Sequence, residues 1–150
     1  MTKGEQAEAF FRQGYNCAQS VAAAFAGEMG LPVATAARMA SGFGGGFGRL
    51  RETCGAVCGM VLVYGVLRGY DQPGTHGEKT RTYAAVQRMA NAYRAENGSI
   101  VCRELLGLAA PEGTPQAAAR TAEYYQKRPC PQLVHRAADI LAAELAAEPT

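Results

Sequence analysis

The sequence lacks the features that mark nucleic-acid-binding, membrane-spanning and secreted proteins. Lys and Arg total 15 against 13 Asp and Glu, so the net charge of +2 provides no excess of basic charge for nucleic acid or an acidic membrane surface. The longest apolar stretch, residues 60–67, is far shorter than the roughly 20 residues that a membrane span needs. No basic start with a following apolar run marks a secretory signal. We therefore expect a cytoplasmic protein with no membrane insertion and no nucleic-acid partner.

Several catalytic motifs are also missing. The chain has no Cys-x-x-Cys-His or Cys-x-x-Cys, which excludes covalent haem of the c type and the usual thioredoxin motif. The glycine-rich segment 42–48 does not fit Gly-x-Gly-x-x-Gly, because Phe47 stands where a glycine is needed, and no Gly-Lys-Ser/Thr follows. No Ser/His/Asp order or carboxylate pair stands out for hydrolysis.

What the chain does contain predicts a single all-α domain. Its 150 residues are 48% hydrophobic, which suits one globular domain with a buried core. No segment alternates like a strand, and alanine recurs in blocks at 22–24, 117–119 and 142–143, where it favours helix. We expect a compact bundle of about six or seven helices drawn from eight candidate helical segments, near residues 3–13, 17–29, 33–40, 53–69, 77–97, 99–106, 116–125 and 131–146.

The buried faces of two segments follow from spacing. The segment 53–69 is apolar on nearly every side, which predicts the centre of the fold. In the long segment 77–97, Tyr83, Val86, Ala90 and Tyr93 are predicted to form the apolar face.

The five cysteines are the most informative residues. An odd number in a reducing compartment argues against a static disulfide framework and for metal ligands, catalytic thiols or core residues. Four of them fall in or just before a predicted first helical turn, where unpaired N–H groups and the helix dipole favour a thiolate. These four are Cys17, Cys54, Cys102 and Cys130. Cys58 lies four residues after Cys54 and is interpreted as a core residue, with a fifth ligand or a resolving thiol as the alternatives.

Three other groups of residues lie near these thiols in sequence. Glycines at 42–48 let the backbone approach a bulky group and present N–H donors to anionic sulfur, or simply make a tight connection. Arg49, Arg51 and Arg68 flank the cysteine-bearing segment and are interpreted as a solvated or salt-bridged surface, with orientation of an anionic partner as the alternative. His135, five residues after Cys130, is interpreted as a surface or core residue rather than a ligand.

The order of these motifs resembles the bacterial C_GCAxxG_C_C family of redox-active proteins. The resemblance is carried by Asn16-Cys17-Ala18-Gln19-Ser20-Val21, Gly44-Gly45-Gly46, Glu52-Thr53-Cys54-Gly55-Ala56-Val57-Cys58-Gly59, Cys102-Arg103-Glu104-Leu105, and Cys130 with Leu133-Val134. It covers about residues 9–145. It implies that Cys17, Cys54, Cys102 and Cys130 act together in redox chemistry or metal binding, without Cys58. A similar domain accompanies an iron–sulfur centre in split-Soret cytochromes, whose haem segments this chain lacks.

Three functions are consistent with this resemblance and these residues. Our leading hypothesis is an electron-transfer protein in which Cys17, Cys54, Cys102 and Cys130 bind a [2Fe–2S] or [4Fe–4S] cluster. Backbone N–H groups at Gly44, Gly45, Gly46 and Gly55 are the expected cofactor contacts. The second hypothesis is cofactor-free thiol–disulfide exchange by the same cysteines with a redox partner protein. The third is a structural zinc site, or a helical interaction module that dimerises through alanine-rich faces.

Overall fold

The computed structural model describes residues 1–74, 76–108 and 114–148, and within them the chain is all-α. There is no strand in these ranges, only an isolated antiparallel bridge between Thr53 and Val101. The helices are α1 (Lys3–Arg12), α2 (Cys17–Ala24), α3 (Ala26–Met29), α4 (Val33–Ala40), α5 (Gly44–Phe47), α6 (Gly55–Arg68), α7 (His76–Asn97), α8 (Cys102–Leu105), α9 (Ala122–Lys127) and α10 (Cys130–Ala147), with a 3-10 turn at Ser41–Phe43.

Side-chain caps begin the first two helices. Thr2 accepts a hydrogen bond from the Glu5 amide, and the Glu5 carboxylate accepts one from the Thr2 amide. Asn16 and Gln19 make the same reciprocal pair at the start of α2. Each box satisfies two N–H groups that would otherwise lack partners. The Asn16 box fixes the position of Cys17, the first residue of α2.

The core lies where α2, α6 and α10 pack together, with α1 and α7 on the outside. Gly59 allows α2 and α6 to approach closely, since a Cβ atom there would lie 2.9 Å from the Ala18 carbonyl oxygen. The prediction that 53–69 forms the centre of the fold is confirmed, although one side of α6 reaches solvent at Val61 and Val66. α10 contacts α1, α2, α6 and α7 and so joins the end of the described chain to its beginning.

Three helix predictions need correction. The segment 17–29 is broken at Phe25, whose φ of −107° and ψ of 11° separate α2 from α3. In α7 the buried residues are Ala85, Met89 and Tyr93, whereas Tyr83 is 58% exposed. The interior face therefore follows positions four residues apart, and only Tyr93 of the predicted face is fully buried. A spacing pattern cannot distinguish two neighbouring stripes on a helix when alanine occupies both.

The predicted helix 116–125 is wrong over its first half. Only α9 is helical there, and residues 114–121 have no regular structure. Ala117, Ala118 and Ala119 are exposed and offer no apolar face to the core. High helix propensity alone does not hold so short a segment in a helix. Part of the predicted loop at 110–115 lies outside the described residues.

None of the helices described is long and apolar enough to cross a membrane.

Candidate functional site

Four of the five cysteines line a single cavity of about 570 Å³. They come from four different parts of the chain: Cys17, Cys54, Cys102 and Cys130. The three later ones are buried, and Cys17 is half-buried. Cys58 does not line the cavity, and its sulfur lies 3.8 Å from the Thr53 carbonyl oxygen. The folded chain thus brings together the four predicted thiols and leaves the fifth apart.

Each of these four thiols lies at the N-terminal end of a helix. Cys17, Cys102 and Cys130 are the first residues of α2, α8 and α10, and Cys54 is the N-cap residue of α6. The predicted placement is therefore confirmed. α8 is only four residues long, so its contribution to the electric field at Cys102 is small.

Backbone pairing holds Cys54 and Cys102 side by side. The Cys54 amide donates to the Ile100 carbonyl at 2.7 Å, and the Cys102 amide donates to the Glu52 carbonyl at 2.6 Å. These bonds flank the bridge between Thr53 and Val101. The bridge positions the starts of α6 and α8 together, although more than 40 residues separate them in sequence.

Glycines allow the backbone to approach the thiols. Gly44, Gly45, Gly46 and Gly55 all line the cavity. A Cβ atom on Gly46 would lie 2.4 Å from the Cβ atom of Cys102, and one on Gly55 would lie 3.2 Å from that of Cys17. No other residue type fits at Gly46 without movement of the backbone. The expected close approach is present, while contact of these glycines with a cofactor stays a prediction.

The segment that follows Gly44 is an unusual left-handed turn. Gly45, Gly46 and Gly48 have φ between 61° and 72°, and so do the non-glycine residues Phe47 and Arg49. Arg51 has a φ of 62°. A non-glycine residue in this region costs of the order of 1 kcal/mol and is concentrated at functional sites. α5 is therefore a single left-handed turn and not a right-handed α-helix, since Gly45, Gly46 and Phe47 have φ values of 68°, 72° and 72°.

Cys130 differs from the other thiols in its acidity. A hydrogen bond from the Cys17 thiol lowers the pKa of Cys130 to about 7, against the opposing effect of burial. Arg128, Tyr124 and Arg120 lower it further. The same interaction raises the pKa of Cys17 well above its usual value, because Cys17 acts as the donor and must keep its proton. The two thiols therefore form a donor–acceptor pair with opposite shifts.

Burial dominates at the other two thiols. It raises the pKa of Cys54 to about 11, although the Tyr93 hydroxyl, 3.3 Å from the sulfur, acts in the opposite direction. Burial also raises the pKa of Cys102, and Arg51 at 3.7 Å only partly offsets it. The expectation that all four helix starts favour a thiolate is therefore wrong for three of them. Loss of hydration outweighs the helix dipole when the thiol is buried.

Several residues of the site were not predicted from the sequence. The sequence pattern predicts a solvated or salt-bridged surface at Arg51, yet this residue is only 5% exposed and its guanidinium lies 3.7 Å from the Cys102 sulfur. Arg120 donates to the carbonyl oxygens of Phe11 and Tyr15 and so fastens residues 114–121 over the cavity. Tyr93 carries no sequence signal of its contact with Cys54. The remaining two, Tyr124 and Arg128, lie within six residues of Cys130, and that proximity is the one available signal.

His135 and Arg68 do not line the cavity. His135 is held between Glu8 at 3.0 Å and Asp139 at 3.3 Å, at the contact of α1 with α10. Arg68 lies at the far end of α6 from Cys54 and donates to the Leu67 carbonyl. Within the three described ranges, no group of three or more His, Cys, Asp or Glu side chains is arranged to hold a metal ion.

Comparison with known families gives one match. The model of the family described as "Putative redox-active protein (C_GCAxxG_C_C)" matches residues 15–144. The chain belongs to the C_GCAxxG_C_C family. The match spans all four thiols of the cavity, and the name of the C_GCAxxG_C_C family indicates redox activity. Comparison with curated proteins and with solved structures finds no match.

Proposed function

We propose that the protein is a thiol-based redox protein in which Cys130 and Cys17 cycle between a dithiol and a disulfide. The observation that carries this proposal is that Cys17 and Cys130 line the same cavity and interact closely enough to shift the pKa of Cys130 down to about 7 and that of Cys17 up. A thiol with a pKa close to ambient pH is the best attacking group in disulfide exchange. Both cysteines line a cavity whose volume of about 570 Å³ is large enough for a small molecule or an inserted side chain.

The geometry gives each thiol a role. The Cys130 thiolate attacks one sulfur of a substrate disulfide and releases the other sulfur as a thiolate, which takes up a proton. Cys130 is then uncharged, so the interaction that raised the pKa of Cys17 is lost. Cys17 gives up its proton, attacks the Cys130 sulfur and displaces the second substrate thiol. Two electrons pass to the substrate, and the protein is left with a Cys17–Cys130 disulfide.

Mass spectrometry tests this proposal directly. Reduced protein is treated without oxygen with 2-hydroxyethyl disulfide, and the new bond is located in digested peptides. We expect a Cys17–Cys130 bond in the wild type, and a trapped mixed disulfide on Cys130 in Cys17→Ser. Cys58→Ser is the matched control and leaves the product unchanged. A wild-type product without Cys130 contradicts the proposal.

A second candidate function is electron transfer by an iron–sulfur cluster. It is favoured by a separate observation, that four thiols from four parts of the chain share one cavity. Four cysteines are the usual donor set of such a group, and glycine backbone lies close to two of them, but the four thiols as they stand in the described residues are not arranged around one metal ion. Cys17, Cys54, Cys102 and Cys130 would hold it, and a bound cluster supplies one-electron transfer.

The two candidates give different results in one preparation. Protein is purified without oxygen, and its visible spectrum, iron, acid-labile sulfide and zinc are determined together. Absorbance near 400 nm with matching amounts of iron and sulfide supports the cluster. Cys54→Ser should abolish this absorbance, and Cys58→Ser should retain it. A metal-free, colourless protein that forms the Cys17–Cys130 bond supports thiol exchange. One zinc per chain would indicate the structural site, and partner binding that survives replacement of all five cysteines by alanine or serine would indicate an interaction module.

A further inference from the structure

A short segment of irregular chain separates the thiol cavity from solvent. We call residues 114–120 the strap. Pro115, Ala117, Ala118 and Arg120 of the strap line the cavity, and the first three of them are also exposed to solvent. A residue that faces a cavity on one side and solvent on the other belongs to a thin outer wall. The strap therefore covers the cavity from outside.

The strap has little structure of its own to hold it in place. Among the described residues, its backbone N–H and C=O groups make no hydrogen bond to the rest of the chain. The Gln116 amide donates to the Thr114 hydroxyl at 3.2 Å, which is a bond within the strap. The side chains of Ala117, Ala118 and Ala119 are exposed and do not join the core. Segments with few buried apolar contacts and exposed backbone open locally at a low cost in free energy.

The Arg120 side chain supplies the hydrogen bonds that join the strap to the rest of the described chain. Its guanidinium donates to the carbonyl oxygens of Phe11 at 2.8 Å and Tyr15 at 2.9 Å, and to the Tyr125 hydroxyl at 3.3 Å. It also lies over two rings, with 4.1 Å to the ring centre of Phe11 and 5.0 Å to that of Tyr124. This combination of forked donation and stacking is specific to arginine.

We propose that the strap is a lid over the four thiols and that Arg120 is its latch. Cys130 is only 8% exposed, so a reactant of small-molecule size reaches its sulfur when Arg120 releases the two carbonyl oxygens and the strap moves outward. Loops that cover a site commonly control access to it in this way. The inference concerns access alone and goes beyond the proposed function, since it holds for thiol exchange and for a bound cluster.

Alkylation of the cavity thiols measures this opening. Reduced wild type and Arg120→Ala are treated with fluorescein maleimide, and labelling of the Cys130 peptide is followed by mass spectrometry. We expect labelling to be about fivefold faster or more in Arg120→Ala, because the latch is lost. A change in acidity cannot produce this result. Arg120 lowers the pKa of Cys130, so its removal leaves less thiolate and by itself slows alkylation.

Two controls and a second variant locate the effect in the strap. Arg136→Ala is the matched control, because Arg136 pairs with Glu96 at 2.8 Å outside the cavity, and it should leave the labelling rate unchanged. Cys58 lies outside the cavity and reports on the fold within each sample. A double variant, Ala117→Gly with Ala118→Gly, loosens the exposed strap and keeps Arg120, and it should also speed up labelling of Cys130.

The outcomes decide the inference without reference to the proposed function. Faster labelling of Cys130 in both strap variants, at an unchanged rate for Cys58, supports the lid. If neither strap variant is labelled faster than the wild type, the strap does not control access and the inference fails. If Cys58 also reacts faster in Arg120→Ala, that variant has lost its fold and the glycine variant alone decides. Maleimide reacts with the thiols whether or not the Cys17–Cys130 disulfide forms, so failure of one proposal leaves the other standing.

Discussion

At the residue scale, the chemistry of the site depends on how each thiol is hydrated. All four cavity thiols lie at helix starts, but burial raises the pKa of Cys54 and Cys102. Cys130 is also buried, yet Cys17 donates a hydrogen bond to it and two arginines lie near. These neighbours lower the pKa of Cys130 to about 7 although burial acts to raise it. Each pKa unit corresponds to about 1.4 kcal/mol, so the neighbours stabilise the thiolate by more than burial destabilises it. The local donors, more than the helix dipole, decide which thiol is reactive.

The first prediction concerns this donor. In the wild type we expect the rate of Cys130 alkylation by iodoacetamide to rise with pH through a midpoint near 7, since the thiolate is the reacting form. Cys17→Ala removes the largest favourable contribution, so the midpoint should move up by about one unit. The rates are read from the Cys130 peptide by mass spectrometry. Cys58→Ala should keep the wild-type midpoint, and an unshifted midpoint in Cys17→Ala would show that the hydrogen bond is unimportant.

The arginines show what residue patterns leave undecided. Arg49, Arg51 and Arg68 share one interpretation from the sequence, a solvated or salt-bridged surface. Arg51 does not fit this interpretation, because it is buried beside Cys102. Arg51 has a positive φ and follows the left-handed turn. A pattern of charged residues in the sequence contains no signal of that backbone conformation.

At the element scale, the turn at Gly44–Phe47 sets the shape of the cavity. Its glycines pack against Asn16, Cys102 and the backbone near Arg51. The Glu52 amide donates to the Gly46 carbonyl at 2.8 Å, which joins the turn to the chain entering α6. The turn therefore links the start of α2 with the starts of α6 and α8.

The second prediction uses two glycines of this segment. Gly46→Ala places a Cβ atom against Cys102 at a φ of 72°, so we expect a loss of about 2 kcal/mol or more in the free energy of unfolding. Gly42→Ala is the matched control: its Cβ atom meets nothing within 4 Å, and the change should stay within about 0.5 kcal/mol. Urea unfolding measures both. Equal stabilities would contradict the close packing at Gly46.

At the scale of the whole molecule, α1 and α10 close the fold. His135 of α10 lies between Glu8 of α1 and Asp139, and the Asp139 carboxylate also accepts a hydrogen bond from the Gly4 amide at 2.8 Å. α10 begins with Cys130, so this contact also fixes the helix that carries the reactive thiol.

The third prediction concerns the pH dependence of this closure. Burial acts to raise the pKa of Glu8, but hydrogen bonds from His135 and Arg12 outweigh it, and the pKa lies below its usual value. The charged carboxylate therefore stabilises the fold above about pH 4.3, and this contribution is lost as the pH falls through the lowered pKa. For this partly exposed group we expect Glu8→Gln to cost about 1 kcal/mol at pH 7.

The cost should shrink as the pH falls through the lowered pKa of Glu8, because the wild-type carboxylate then takes up a proton, and thermal unfolding over this range of pH measures it. Glu123→Gln, at an exposed position paired only with Lys127 among its described ion pairs, is the control and should change stability little at any pH. A Glu8→Gln variant as stable as the wild type at pH 7 would contradict the role of this contact.

The sequence by itself determined the local features. Apolar spacing, glycines and prolines indicated the bounds of α1, α4 and α10 to within a residue or two, because those signals act over a few neighbouring residues. The order of the four cysteines indicated the family and the positions of the thiols at helix starts.

Only the tertiary structure decided how these local features combine. It places Cys54 beside Cys102 through one backbone bridge, separates Cys58 from the cavity, and leaves Ala117 to Ala119 outside any helix. It also lowers the pKa of Cys130 alone among the cavity thiols. Burial, charge–charge contacts and backbone pairing join residues that are far apart in the chain. A short-range pattern of residues therefore cannot indicate these interactions.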